Sequence, residues 1–379
     1  MSLADYIKLH HLDTVLSDTL NQCIKARAEN PLRYMADSLL NKTTFDILHC
    51  KAYYVFDSRG VPTTEVAITT AKGVYRATCP SGSFQTLSEF VERRDDDPGK
   101  YNGRGVMRAV HEINEKISPL IVGKCATDQE QIDHILLENT SLVNVMYPVS
   151  VAVYKAGHDN TDGRYNAPLP ILKVCETPGF QQQLCVVPVD KFNDHEEAVR
   201  MCVEVYHACP RICDTLVHGL SVLTKAISTV RHAGKVRIVV DMNASEFLTE
   251  DNYYEFDKTA KLNRDEMHAM YKRWTSEYPI EWIENPFDHE EAFEPRDYYL
   301  SSHPIHATQL FCLKPSQYGT VTRVKEVCKS FGSIIVSNRT GDTDDTFEYT
   351  LALELGAKYI RLGNVPRLNC LMRDLNLSN

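Results

Sequence analysis

Apolar residues recur three and four apart near the start of the chain: Leu12, Val15, Leu16, Leu20 and Ile24 share one helical face, while Asp13, Ser17, Asp18 and Lys25 fall elsewhere. A second helix follows, with Asn30 as its cap, Pro31 at its first position and Leu32, Met35, Ala36 and Leu39 as its stripe. Two short helices bury little surface alone, so this hairpin calls for a partner, either a second copy or the main body. From Tyr54 the period changes to two. Tyr54, Thr64, Val66 and Ile68 alternate with smaller or polar residues between turns at Gly60 and Gly73, which predicts an antiparallel meander. Helical patterns follow at "GVMRAVHEINEKISPLIV" and "DQEQIDHILLENT". After "NAPLPILKV" come short apolar runs: "QLCVVPV", "VRIVVDM", "PIEWIEN", "QLFCLK", "SIIVSN" and "YIRLG". One long helix is expected through "HEEAVRMCVEVYHACPRICDTLVHGLSVLTKAISTV", and strands separated in this way predict a parallel barrel or an open α/β sheet.

The 379 residues suffice for two domains and an appendage. A net charge of -10 and a pI near 5.8 argue against a phosphate backbone or an anionic membrane as partner. No uncharged apolar run approaches the ~20 residues of a membrane span, and "MSLADYIKLHH" has no basic segment followed by an apolar one. The expected location is therefore the cytosol. Twelve cysteines without a C-x-x-C pair suit a reducing compartment. His207, Cys209 and Cys213 in "HACPRIC" read as structural, because zinc would want a fourth ligand and tighter loop geometry.

In chain order, "FDSRGVPTTEV", "RRDDDPGKYNGRGVMRAVHEIN", "VSVAVYKAG", "DMNASEF", "IENPFD" and "SNRTGDTDDTF" resemble successive signatures of the enolase family, which dehydrates 2-phosphoglycerate to phosphoenolpyruvate. The resemblance implies an α+β N-terminal domain over 48–166 and a C-terminal β/α barrel over 167–379, with the active site at the carboxyl ends of the strands. The hairpin of residues 1–45 resembles the dimerisation and docking domain of type II regulatory subunits of cAMP-dependent protein kinase. That implies a four-helix bundle of two copies, able to accept an amphipathic helix of another protein.

Enolase-type chemistry takes a proton beside a carboxylate, using a lysine or histidine base and magnesium ions to stabilise the resulting enolate. The resemblance carries five positions over. Asp241 and Glu284 match two of three metal-binding carboxylates, Lys314 in "FCLKPSQYGT" matches the base, and Arg339, with Thr340 beside it, matches the phosphate-binding segment. Other positions depart from the family. Phe84 replaces a metal-ligating serine, "CETPGF" replaces the histidine-bearing "GGSHAG", and Gln183 replaces an acid. Asn338 replaces the histidine of "SHRSG", and Arg361 replaces a lysine, keeping the charge with another geometry. The "GDEGG" loop with its glutamate has no counterpart, and one strand-like run stands where the family has two strands and the third metal carboxylate.

Asp241 and Glu284 also admit a purely structural reading, since carboxylates at strand ends can pair with Lys314 or Arg339 inside a barrel. The expectation is therefore a degenerate enolase with a truncated barrel, catalytically inactive, serving as a scaffold through its hairpin. Ciliary or flagellar axonemes are the place that resemblance implies. No cofactor is required on this reading. The rival is an active or weak phosphopyruvate hydratase of glycolysis, working with one magnesium held by Asp241 and Glu284.

Overall fold

The computed structural model describes residues 2–9, 12–40, 45–82, 91–158, 167–177, 182–189, 192–255, 261–288, 299–300, 310–363 and 365–377. The N-terminal pattern forms helices at Leu3–Leu9, Leu12–Ala26 and Pro31–Leu40. As expected, the Asn30 side chain caps the last of these, accepting from Arg33 N at 3.1 Å. The hairpin buries almost nothing of its own. Thr19 and Cys23 lie inside, while Leu16, Leu20 and Ile24 stay exposed.

The period-two stretch forms the meander: β1 (His49–Phe56), β2 (Pro62–Thr70) and β3 (Gly73–Thr78), each antiparallel to the next. Helical turns from Met107 to Ile121 pack beside it, and the helix Gln129–Asn139, capped by Asp128, packs on the helix that follows. The helix Val143–Gly157 is apolar on nearly all sides, and so it is buried on nearly all sides. One flank lies on β2 and β3, and the other meets the helix Val321–Cys328.

Eight further strands form the second sheet: β4 (Leu169–Glu176), β5 (Gln183–Pro188), β6 (Val236–Asp241), β7 (Ile280–Glu284), β8 (Tyr299–Leu300), β9 (Phe311–Leu313), β10 (Ile334–Ser337) and β11 (Tyr359–Arg361). Their order, β8-β7-β6-β5-β4-β11-β10-β9, is a barrel sequence cut open between β8 and β9, with no ladder across the cut among the described residues. This is the truncated barrel. Three expectations need correction. The sheet is not wholly parallel, because β5 runs antiparallel to both β4 and β6; the short connection from Glu176 to Gln183 is too brief for a crossover. Two strands, not one, lie between β7 and β10, for β8 survives as a two-residue remnant beside β7. The long helix is broken into His195–Ala208 and Leu216–Thr229, since Pro210 cannot continue it and Thr215 caps a new start, accepting from His218 N at 3.2 Å.

The two units are joined at a polar seam. Ser81 and Gly341 exchange two backbone hydrogen bonds of 2.9 and 2.8 Å. The buried Asp57 carboxylate accepts from the Ser81 hydroxyl at 2.6 Å and from Arg59 at 2.9 Å, and Ser58 N donates to Asp342 O at 2.7 Å. A second tie runs through Asp133, which accepts from Ser150 Oγ at 2.6 Å and from the backbone N of Thr322 at 2.9 Å. "FDSRG" thus lies at the seam: its Asp57–Arg59 pair is held against Ser81 within the first unit, and Ser58 makes the backbone tie to the second.

Candidate active site

Register sets the stage. Gln183, Asp241 and Glu284 lie side by side on β5, β6 and β7, in one row at one end of the sheet. Immediately beyond Glu284 the chain turns away at Asn285, whose φ of 48° places it in the left-handed region that asparagine tolerates better than most residues. The turn brings the Asn285 amide back over the row, where it donates to Asp241 Oδ1 at 3.3 Å and reaches Glu284 Oε1 at 3.4 Å. From the other arm of the open sheet come Lys314, which follows β9, and Arg361, which ends β11.

These four charged side chains form one cluster. Arg361 Nη1 lies 3.1 Å from Asp241 Oδ2, Arg361 Nη2 bonds Glu284 Oε2, and Lys314 Nζ lies 3.2 Å from Glu284 Oε1. Glu284 is fully buried, Arg361 is 3% exposed and Asp241 7%. Each of the four carboxylate oxygens therefore already has a donor. Arg361 Nε is buried without a hydrogen-bond partner, a cost the cluster tolerates.

Burial pushes the Glu284 carboxyl up, but Arg361 and Lys314 outweigh it and hold the group at about 2. Asp241 moves the other way: burial and the neighbouring Glu284 raise it above the usual carboxylate range, against the pull of Lys314 and Arg361. Burial pulls the Lys314 ammonium down, and Glu284 with Asp241 more than reverses this, so it stands above the ordinary lysine value. Glu246, half-buried near Asp241, is raised to about 7 chiefly by burial.

Magnesium wants near-octahedral oxygen ligation, and the residues present do not fit it. Asp241 and Glu284 could offer oxygens only by giving up Arg361, Lys314 and Asn285, and the described residues contain no other acidic, histidine or cysteine group completing a metal set. The Arg339 guanidinium lies so close over Gly82 that a Cβ there would fall 2.1 Å from Nη2. Thr340 follows it, half-buried. Asn338 turns its amide to Arg339 O at 2.8 Å, and its backbone N donates to Arg361 O at 3.1 Å. Phe84 lies outside the described residues.

Sequence reading anticipated that the carboxylates would pair inside the barrel, and named Lys314 and Arg339 as partners. Lys314 pairs with Glu284, and Arg361 pairs with both acids. Asn285 and Glu246 were missed, although both stand inside the motifs "IENPFD" and "DMNASEF".

An α+β meander unit clamped to a β/α barrel whose second strand runs backwards, with two acids and a lysine at one mouth, defines the class: an enolase-type fold. Comparison with known proteins agrees. The enolase N-terminal domain family matches residues 47–164, and the enolase C-terminal TIM barrel domain family matches residues 209–302. Cytosolic enolase 3 of Arabidopsis thaliana is 28% identical over an alignment 442 positions long, gaps included, covering 96% of this chain and 92% of its own length. An enolase of Eimeria tenella is 28% identical over 411, covering 84% and 91%. The chain belongs to the enolase family.

Proposed function

We propose that this chain is an enolase-family protein that does not carry out the hydratase reaction and serves instead as a structural component assembled through its N-terminal hairpin. The observation that carries the reading is the seating of Arg361 between Asp241 and Glu284, with Lys314 beside them. A general base must give up its own proton before it can take one, and the carboxylates around Lys314 favour the ammonium. The acids that would hold magnesium are engaged by the protein's own cations, and no glutamate replaces the family's "GDEGG" acid in sequence. Losing metal stabilisation of an enolate and acid assistance to the leaving hydroxide together removes many powers of ten in rate.

The structural role is supported by the hairpin, whose exposed Leu16, Leu20 and Ile24 form one stripe that a second copy would cover. Resemblance to the docking domain supports a bundle of two such hairpins, and a place on a ciliary or flagellar axoneme. Purified protein mixed with 2-phosphoglycerate and magnesium in a coupled assay tests the first claim. No turnover above the rate without protein is expected; turnover that Lys314→Ala abolishes would sink the reading.

A further inference from the structure

We infer that Arg361 is a tethered cation that stands where the family places a divalent ion, and that removing its guanidinium reopens an oxygen-donor site for a hard divalent cation. The inference deepens the reading of the cleft as dismantled and rests on it. Three observations carry it. Asp241 and Glu284 are opposite each other on paired parallel strands, both buried, so their negative charges face each other at close range and demand a counter-charge. The guanidinium supplies it from β11, three places away from β6 in the sheet, by reaching across the barrel mouth rather than along a neighbouring strand. Its planar fork places one nitrogen on each carboxylate, which a lysine ammonium, a point charge, does less well.

The clasp also has a position that matters. Lys314 and Arg361 belong to the β9–β11 arm and Asp241 and Glu284 to the β6–β7 arm, and these arms lie on either side of β8 and β9, between which the described residues form no ladder. Among the described residues, ion pairs at the mouth join the two arms. An internal cation can perform this service without depending on ion concentration, because the guanidinium is covalently part of the chain.

Thermal unfolding of the full chain, followed with and without a chelator and with millimolar Mn2+, tests this through binding instead of turnover, so hydratase activity and tethered-cation behaviour can fail separately. Wild type is expected to unfold at one temperature in all three conditions. Arg361→Ala should unfold several degrees lower and recover part of that loss in Mn2+, whose binding is read directly from the loss of the free-ion paramagnetic resonance signal. Asp241→Asn combined with Arg361→Ala should lose the recovery. Arg361→Met, which fills more of the vacated volume, replaces the alanine variant if the latter does not fold. A rise of the wild-type unfolding temperature in Mn2+, or an arginine-free variant that folds and takes up no Mn2+, overturns the inference.

Discussion

Glu284 is fully buried and bonded to two cations, and single substitutions at it and its partners have opposite electrostatic consequences. Glu284→Gln leaves Arg361 with Asp241 alone and Lys314 without its bonded carboxylate, so it should cost about 3–5 kcal/mol in denaturant unfolding. Its pH dependence has a definite sign. Because the folded-state value of Glu284 is depressed to about 2, its contribution is complete above the ordinary glutamate value and is lost as pH falls from there toward 2. Asp241, raised in the folded state, opposes this by favouring the folded form on acidification, and Lys314, also raised, loses its contribution only above the ordinary lysine value. The stability difference between wild type and Glu284→Gln should therefore be flat through neutral pH and shrink below the ordinary glutamate value. A difference that grows on acidification would contradict the ion-pair assignment. At this scale the sequence was readable wherever a charge ended an apolar run, as in "IVVDM" and "WIEN". It could not pair Arg361 with acids 77 and 120 residues away, because that contact is made by the fold and not by any local period.

Elements follow the same division between local and global causes. Meander, barrel strands and most helices were legible because period and capping are local, as Asn263 illustrates by closing a reciprocal capping box with Glu266 before the helix Arg264–Glu277. Strand direction was not legible, since an apolar run such as "QLCVVP" reads the same either way and only its pairing with both neighbours makes β5 antiparallel. The remnant β8 escaped notice because two residues carry no period. The polar seam gives a prediction of its own. A Cβ at Gly341 would lie 2.2 Å from Ser81 Oγ and 2.4 Å from Asp57 Oδ2, so Gly341→Ala must push apart the clamp between the two units. It should destabilise the protein by about 1–3 kcal/mol, and hydrogen exchange should rise first at Ser81 and Gly341. Gly332, where a Cβ meets nothing within 4 Å, is the control: Gly332→Ala should leave those amides protected.

For the whole molecule, the family relationship and the broken barrel were legible from ordered motifs, while the consequence of the break was not, because it depends on which arm each ion comes from. The hairpin sets the oligomeric state in the proposed function, and its stripe is exposed, so paired charges there should disturb assembly without disturbing folding. Leu16→Glu with Leu20→Glu should convert a sedimenting dimer to a monomer with an unchanged unfolding temperature; a dimer that persists would move the interface to the enolase body. The most direct measurement is a crystal of the wild-type chain soaked with 2-phosphoglycerate and Mn2+, examined by anomalous diffraction. A seated Arg361 predicts no manganese peak between Asp241 and Glu284 and an unmoved guanidinium. A manganese ion bound to both carboxylates, with Arg361 swung away and substrate beside Lys314, would contradict it.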